Sequence, residues 1–412
     1  MINDLINRIK KNEFLRNSIV LFTASMFMNL FGYLFHFYVG RKLGPVDYGV
    51  FGALSSILYL LIVPLTTIQT TITKFVSTFK VANEYGKIKY LFTRSLNRLL
   101  IVGVILAIIF MIFSKLIAAF LHLDSIFPLF LLSVFFIFSL LLPVNRGVLQ
   151  GVQNFYGLGL NFINEGLFKF LFGILLVGFG FKVNGAITAL ILSYLIPFLL
   201  SFYSLKFLFK TEKIKFETKN IYAYSLPVLF TTLLLTAFYS LDVILVKHFL
   251  NAQEAGYYVA ASLLAKIVYF ASGAITLVLF PQVNELYLKK LAHKKILFRA
   301  MIIVFLVTGL ITLFYFLFPS FTVNLLFGSK YIIIKNYIGL FALAMTVFSL
   351  IYILSFYNLS INKTNFVYLL LLFIILEIAL IYLYHNSILQ IIYILLILLS
   401  FLFLSLLVYT LI

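Results

Sequence analysis

Long apolar runs, broken only by short polar turns, fill this chain from residue 17 to its end. A bilayer core takes about 20 apolar residues per helix. Twelve such runs can be read, at roughly 17–39, 48–78, 95–118, 126–147, 157–180, 185–207, 221–246, 256–283, 297–319, 336–358, 365–384 and 388–411. In lipid every backbone polar group must be satisfied within its own segment, so runs of this length predict helices. Hydrophobic residues make up 64% of the 412 residues and charged residues 10%, a balance soluble domains do not show. The expected fold is an all-α polytopic membrane protein of about twelve transmembrane helices.

Two stretches 207 residues apart say nearly the same thing. Residues 39–53 read VGRKLGPVDYGVFGA and residues 246–260 read VKHFLNAQEAGYYVA, so that Gly49 matches Gly256, Asp47 matches Glu254 and Phe51 matches Tyr258. Each reads as a polar hairpin between two apolar segments. The repeat predicts a duplicated domain, two pseudo-symmetric six-helix bundles around a central cavity, and duplication of this kind is common in transporters. The expected boundaries are a cytoplasmic N-terminal segment 1–16, bundles at 17–207 and 221–412, and a basic linker at 208–220.

The net charge of +19 follows the loops rather than a nucleic-acid footprint. Twenty-two Lys and Arg fall at the N-terminus and in alternate loops, and seven in the loops of the other side. The positive-inside rule puts the richer side, and with it both termini, in the cytoplasm of a multi-pass cell-membrane protein. Residues 3–14 can form an amphipathic helix on the inner surface, with Leu5, Ile6 and Ile9 towards lipid, or a frayed basic tail. With no Cys there is no disulfide or thiol chemistry, and with no Trp any aromatic belt falls to Tyr. Loops of at most about 15 residues leave no room for a catalytic domain. No phosphate-binding Walker pattern, metal-spaced His pair or Gly-x-Ser-x-Gly occurs, and the five His are scattered. The chain reads as a non-enzyme, with no cofactor.

Four segments carry a family resemblance: GRKLGPVDYGVFGAL (40–54); RGVLQGVQNFYGLGLNFINEGLFKFLFGILLV (146–177) with VNGAITALILSYLI (183–196); SLDVILVKHFLNAQEAGYYVAASLLAKIVYFASGAITLVLFPQV (240–283); and NLSINKTNF (358–366), which echoes the Leu149–Asn154 turn. Together they resemble the polysaccharide transporter branch of the multidrug/oligosaccharidyl-lipid/polysaccharide exporter superfamily. The resemblance implies two six-helix bundles forming a V around a central cavity. It also implies flipping of polyprenyl-linked oligosaccharides.

Charges inside spans are costly, about 2.5–3.5 kcal/mol each on insertion scales, and so point to a partner, a cavity or a task. Lys266 lies about 15 Å from the outer end of its helix at 1.5 Å per residue, further than snorkelling covers. Its place before Ser272-Gly273 resembles the basic residue lining the cavity of lipid-precursor flippases, which would make it a phosphate-binding cation; the other reading is an interhelical ion pair. Asp242 and Glu377 are ion-coupling candidates, since the resemblance puts acidic ligands for Na+ on equivalent helices; otherwise they pair with Lys247 or Lys266. Glu165 and Lys169, at i,i+4, are expected to neutralise each other, leaving Lys169 a lesser candidate for an anionic substrate. Arg41, in the first hairpin, meets phosphate or sugar at the exit, or caps a helix end or pairs with Asp47. Arg146 greets a headgroup at the cytoplasmic side or anchors to lipid phosphate.

The expectation is therefore a flippase for a polyprenyl-(pyro)phosphate-linked oligosaccharide, working by alternating access for cell-surface polysaccharide synthesis. Its headgroup would meet Lys266, Arg146, Lys169 and Arg41, with Na+ or H+ as coupling ion. Polysaccharide polymerase or glycosyltransferases are candidate partners. The rivals are a multidrug/cation antiporter of the same superfamily, a membrane glycosyltransferase and a non-transporting scaffold.

Overall fold

A computed structural model describes residues 13–216, 226–288, 292, 294–361 and 363–411. Residues 3–12 of the expected amphipathic segment and 217–220 of the expected linker lie outside them. The described residues hold fourteen α-helices and no strand: α1 Glu13–Val81, α2 Tyr85–Ile112, α3 Ser114–Phe120, α4 Phe127–Gly151, α5 Phe155–Gly178, α6 Lys182–Ser204, α7 Leu226–Phe238, α8 Leu241–Phe249, α9 Ala252–Leu288, α10 Lys294–Leu317, α11 Pro319–Leu326, α12 Ile338–Ser360, α13 Phe366–Leu383 and α14 Ile388–Leu411. Short 3-10 turns, Lys206–Lys210 and Ser329–Asn336, link α6 onward and α11 to α12.

Helices among the described residues cover most of each of the twelve expected runs. Among the described residues ten stretches are long and apolar enough to cross a bilayer. One of them, Val20–Val81, breaks at Gly44 (φ 73°, ψ 177°) and so supplies two arms of α1. The 37-residue α9, which covers the expected run at 256–283, is not one of the ten. The expected span 221–246 is two shorter helices, α7 and α8, broken at Tyr239–Ser240, and the span placed at 95–118 begins ten residues earlier, at Tyr85.

The chain divides into two compact units. Residues Met1–Lys42 and Pro64–Ser225 form one; Leu43–Val63 and Leu226–Ile412 form the other. Thus the middle of α1, which the sequence assigns to the first bundle, packs as part of the second unit.

The two repeated stretches solve the same problem with different chemistry. Neither is a looped hairpin. In the first, Gly44 adopts a left-handed φ and Pro45 opens the next arm, where its missing N–H costs nothing. In the second, the Asn251 side chain accepts the N–H of Glu254 at 2.9 Å and donates to the Glu254 carboxylate at 2.7 Å, a reciprocal cap on α9. The matched glycines then meet. A Cβ on Gly49 would lie 2.8 Å from the backbone nitrogen of Gly256, so the two helices touch backbone to backbone within the second unit. Such close approach of small residues is how membrane helices gain packing without a hydrophobic drive. The echoed turns also agree: Asn154 N–H donates to Leu149 O at 2.8 Å and Lys363 N–H to Asn358 O at 2.9 Å, the same helix-ending bond in each half.

Candidate functional site

In the second unit α9 carries Lys266 into the interior, only 4% exposed. Its ammonium lies 5.6 Å from the ring centre of Tyr59, on α1, and 5.5 Å from that of Tyr239. Tyr239 packs on Tyr269 at 5.6 Å, and Tyr269 on Tyr352 at 5.3 Å. Aromatic faces hold a cation electrostatically yet leave its N–H donors for another acceptor. Asp242 is near enough for its charge to act on Lys266. Among the described residues, however, no carboxylate reaches ion-pair distance of Lys266, so the expected ion-pair reading is not what the geometry shows.

Asp242, at the start of α8, and Glu377, in the middle of α13, are both buried. Helix α13 packs on α7 and α8, and the charges of the two carboxylates act on each other. The Tyr258 hydroxyl donates to Asp242 Oδ2 at 2.8 Å. Among the described residues both Glu377 oxygens have no hydrogen-bond partner, nor do the buried hydroxyls of Thr231 on α7 and Ser240 beside α8, while backbone N–H groups at the start of α8 face the Asp242 carboxylate. Buried carboxylate oxygens without donors are costly unless a cation or proton joins them. Carboxylate and hydroxyl oxygens suit a hard monovalent cation or H+ and offer nothing to a soft metal.

In the first unit α4 brings Arg146 against α5. Its Nε donates to Asn161 Oδ1 at 2.6 Å and its Nη2 to Glu165 Oε2 at 2.6 Å, while the Phe162 ring lies 4.8 Å from the guanidinium. Asn161 in turn donates to the Pro197 carbonyl at 2.8 Å, which ties α6 into the same network. The expected pairing of Glu165 with Lys169 is therefore corrected: Glu165 is taken by Arg146. A planar guanidinium reaching across from α4 satisfies both Glu165 and Asn161, which a Lys one turn along the same helix cannot do. Lys169 stays half-buried, and its charge is close enough to interact with Glu165 and Arg146 without an ion pair among the described residues. Arg41 is exposed, three residues before the α1 break.

The sequence reading missed one feature of α1. Along its second arm the exposed positions Thr66, Thr70, Lys74 and Thr78 recur every four residues, while Leu65, Ile72, Val76 and Phe79 are buried. Behind this polar stripe Gln69 donates to Gln150 Oε1 at 2.9 Å. A Cβ on Gly147 would come within 2.9 Å of the Gln69 carbonyl, so α4 and α1 touch closely here. The signal was present as the run LTTIQTTITK (65–74), whose hydroxyls fall at helical spacing inside a span. The exposed residues of α2, by contrast, include Leu100, Ile101, Ile105, Ile108 and Ile112, as a lipid-facing surface requires.

The sequence profile described as polysaccharide biosynthesis protein matches residues 39–336, most of the chain. The chain belongs to that family. Among curated proteins none matches it. Solved structures share its fold. An inward-facing MATE-family multidrug resistance transporter of the MOP superfamily is 16% identical over 95% of this chain and 98% of its own, with a TM-score of 0.75. The lipid II flippase MurJ, in an inward closed conformation, is 14% identical over 96% and 87%, with a TM-score of 0.71. A MOP-superfamily transporter from Pyrococcus furiosus, described as having a binding pocket of reversed polarity, is 15% identical over 96% and 95%, with a TM-score of 0.63.

The matched region of this polysaccharide biosynthesis protein, residues 39–336, contains both glycine-matched stretches, the Arg146 network, Asp242 and Lys266; Glu377 lies beyond it. Of the residues singled out in the sequence, the structure gathers Lys266, Asp242 and Glu377 in one unit. It gathers Arg146 and Lys169 in the other, with Arg41 at that unit's edge.

Proposed function

We propose that this chain flips a polyprenyl-(pyro)phosphate-linked oligosaccharide from the inner to the outer leaflet of the cell membrane by alternating access, with both termini cytoplasmic. The observation that carries the proposal is Lys266: a buried cation, 4% exposed, held among tyrosine rings with no carboxylate at ion-pair distance among the described residues. A compact ammonium with free donors suits a phosphate oxygen, and neighbouring tyrosines suit sugar faces. The family assignment and the fold shared with a lipid II flippase support this reading. So does the polar stripe of α1, since Lys74 and the threonines beside it are better served by water or a polar ligand than by acyl chains. Asp242 and Glu377 are then the coupling site for Na+ or H+.

The test is flipping of a fluorescent undecaprenyl-pyrophosphate-linked oligosaccharide in proteoliposomes. Loss of one charge-assisted contact, worth about 1.5–3 kcal/mol, predicts that Lys266→Met slows flipping roughly 10- to 100-fold while Lys266→Arg keeps part of the rate. A Lys266→Met protein that flips at the unaltered rate refutes the assignment. A second reading, cation/drug antiport, draws on the paired carboxylates and the MATE-type fold. It requires that a cationic dye be exported and that Lys266→Met leave export intact.

A further inference from the structure

A second cationic site lies far along the sequence from Lys266, at the N-terminal end of α2. Thr211, just after the Lys206–Lys210 turn, begins an extended stretch of chain (φ −91°, ψ 141°) that is strapped onto α2. Ile214 N–H donates to the Gly86 carbonyl at 3.1 Å. Lys89 donates to the carbonyls of Thr211 at 2.6 Å and Phe209 at 3.2 Å. Phe216 sets its ring against Tyr90 at 5.6 Å and against Phe79 at 4.7 Å. Ile214 lies against Gly86 and Phe216 against Tyr90, which brings Lys213 and Lys215 alongside the next turns of α2.

There they close a cavity of about 380 Å³ with Tyr90, Arg94, Asn97 and Arg98 of α2, spaced along one helix face. Among the described residues four cations line this cavity and no acid does. The Arg94 guanidinium donates to the Tyr90 hydroxyl, yet its buried Nε has no partner among the described residues. Lys213 and Lys215 are exposed. Clustered like charges repel one another, and an anion among them reverses that repulsion. The site also sits at a boundary. About one turn beyond Arg98, α2 turns outward-apolar, with Leu100 and Ile101 exposed as lipid-facing residues are. That transition marks the depth of phospholipid headgroups.

We propose that this cavity binds the phosphate of an anionic membrane lipid headgroup, on the side the Lys/Arg bias assigns to the cytoplasm, separately from the substrate cation Lys266. The purified full-length protein is titrated with dioleoyl phosphatidylglycerol, with dioleoyl phosphatidylcholine and with inorganic phosphate, and bound ligand is counted by native mass spectrometry. One near-surface Lys or Arg changes anionic-lipid binding about fivefold, so K213Q/K215Q is expected to weaken phosphatidylglycerol binding roughly 25-fold. Both lysines are exposed, so the melting temperature of the lipid-free protein should not move. Arg94→Gln, a second variant on α2, should weaken it as well. Saturable inorganic phosphate binding that both variants lose, with phosphatidylglycerol bound no better than phosphatidylcholine, keeps the anion site and reassigns its source to a soluble phosphate. Phosphatidylglycerol bound no better than phosphatidylcholine together with no phosphate binding, or phosphatidylglycerol affinity unchanged in both variants, overturns the proposal. Oligosaccharide flipping measured in phosphatidylcholine alone separates this outcome from failure of the Lys266 assignment.

Discussion

Replacing Arg146 by Met tests whether its network holds the first unit together. The guanidinium gives one 2.6 Å bond to Glu165 and another to Asn161, and all three side chains are buried. Removing the cation strands a carboxylate with no donor and an amide oxygen with none. Breaking one side of a buried pair costs about 3–5 kcal/mol. The unit is about two hundred residues, for which each kcal/mol shifts the midpoint by about 2–4 °C, so Arg146→Met should melt roughly 6–20 °C lower. The double variant Arg146→Met/Glu165→Met removes both charges at similar volume and should recover most of that loss, because apolar replacements of a buried pair are often close to neutral. Lys169 can soften the single variant, since its charge already acts on Glu165; Arg146→Met/Lys169→Met should then melt lower than Arg146→Met alone. Circular dichroism is the assay, because the chain has no Trp to report by fluorescence. A single variant within about 1 kcal/mol of the parent, or a double variant as unstable as the sum of the two singles, refutes the reasoning.

Two further outcomes follow from packing and charge. Gly49→Val drives a side chain into the Gly256 backbone, which cannot rotate away, and should cost at least the roughly 1–3 kcal/mol of ordinary overpacking; Gly309→Ala in α10, where a Cβ meets nothing, should be neutral or stabilising by under about 1 kcal/mol in the same melting assay. Glu377→Gln removes a buried carboxylate with two unpartnered oxygens, so it should raise the melting temperature in cation-free buffer and abolish any rise on adding Na+; a Glu377→Gln protein that still gains stability from Na+ shows that the ion binds elsewhere.

What the sequence discloses here is whatever repeats or is local. Apolar runs located the spans, and the 207-residue repeat located the two glycines that touch. The echo between Leu149–Asn154 and the stretch from Asn358 proved to be the same helix-ending bond. Even the divergence of the two stretches is legible afterwards: GlyPro in one and Asn-x-x-Glu in the other are alternative ways to restart a helix after a break. What it conceals depends on residues brought together from afar. Glu165 has Lys169 one turn away, but its partner is Arg146, 19 residues back on another helix. Local spacing nominates neighbours; tertiary packing chooses among them.

The same limit governs the candidate sites. Lys266 was conspicuous as a cation in an apolar run, but Tyr59 lies 207 residues before it in the chain, and only the passage of 43–63 into the second unit puts that ring beside the ammonium. The linker read as a plain basic loop until the Ile214–Gly86 bond placed Lys213 and Lys215 beside Arg94 and Arg98 of α2. In both places the charged residue is visible in one dimension, whereas its chemistry is set by the apolar and aromatic partners that orient it. A lysine on a tyrosine face keeps its donors free, and the same lysine against Asp242 would have spent them. Sequence can therefore rank the cations of such a chain by depth in the bilayer, but whether each one binds substrate or holds a bundle together is decided by what fills its first few ångströms.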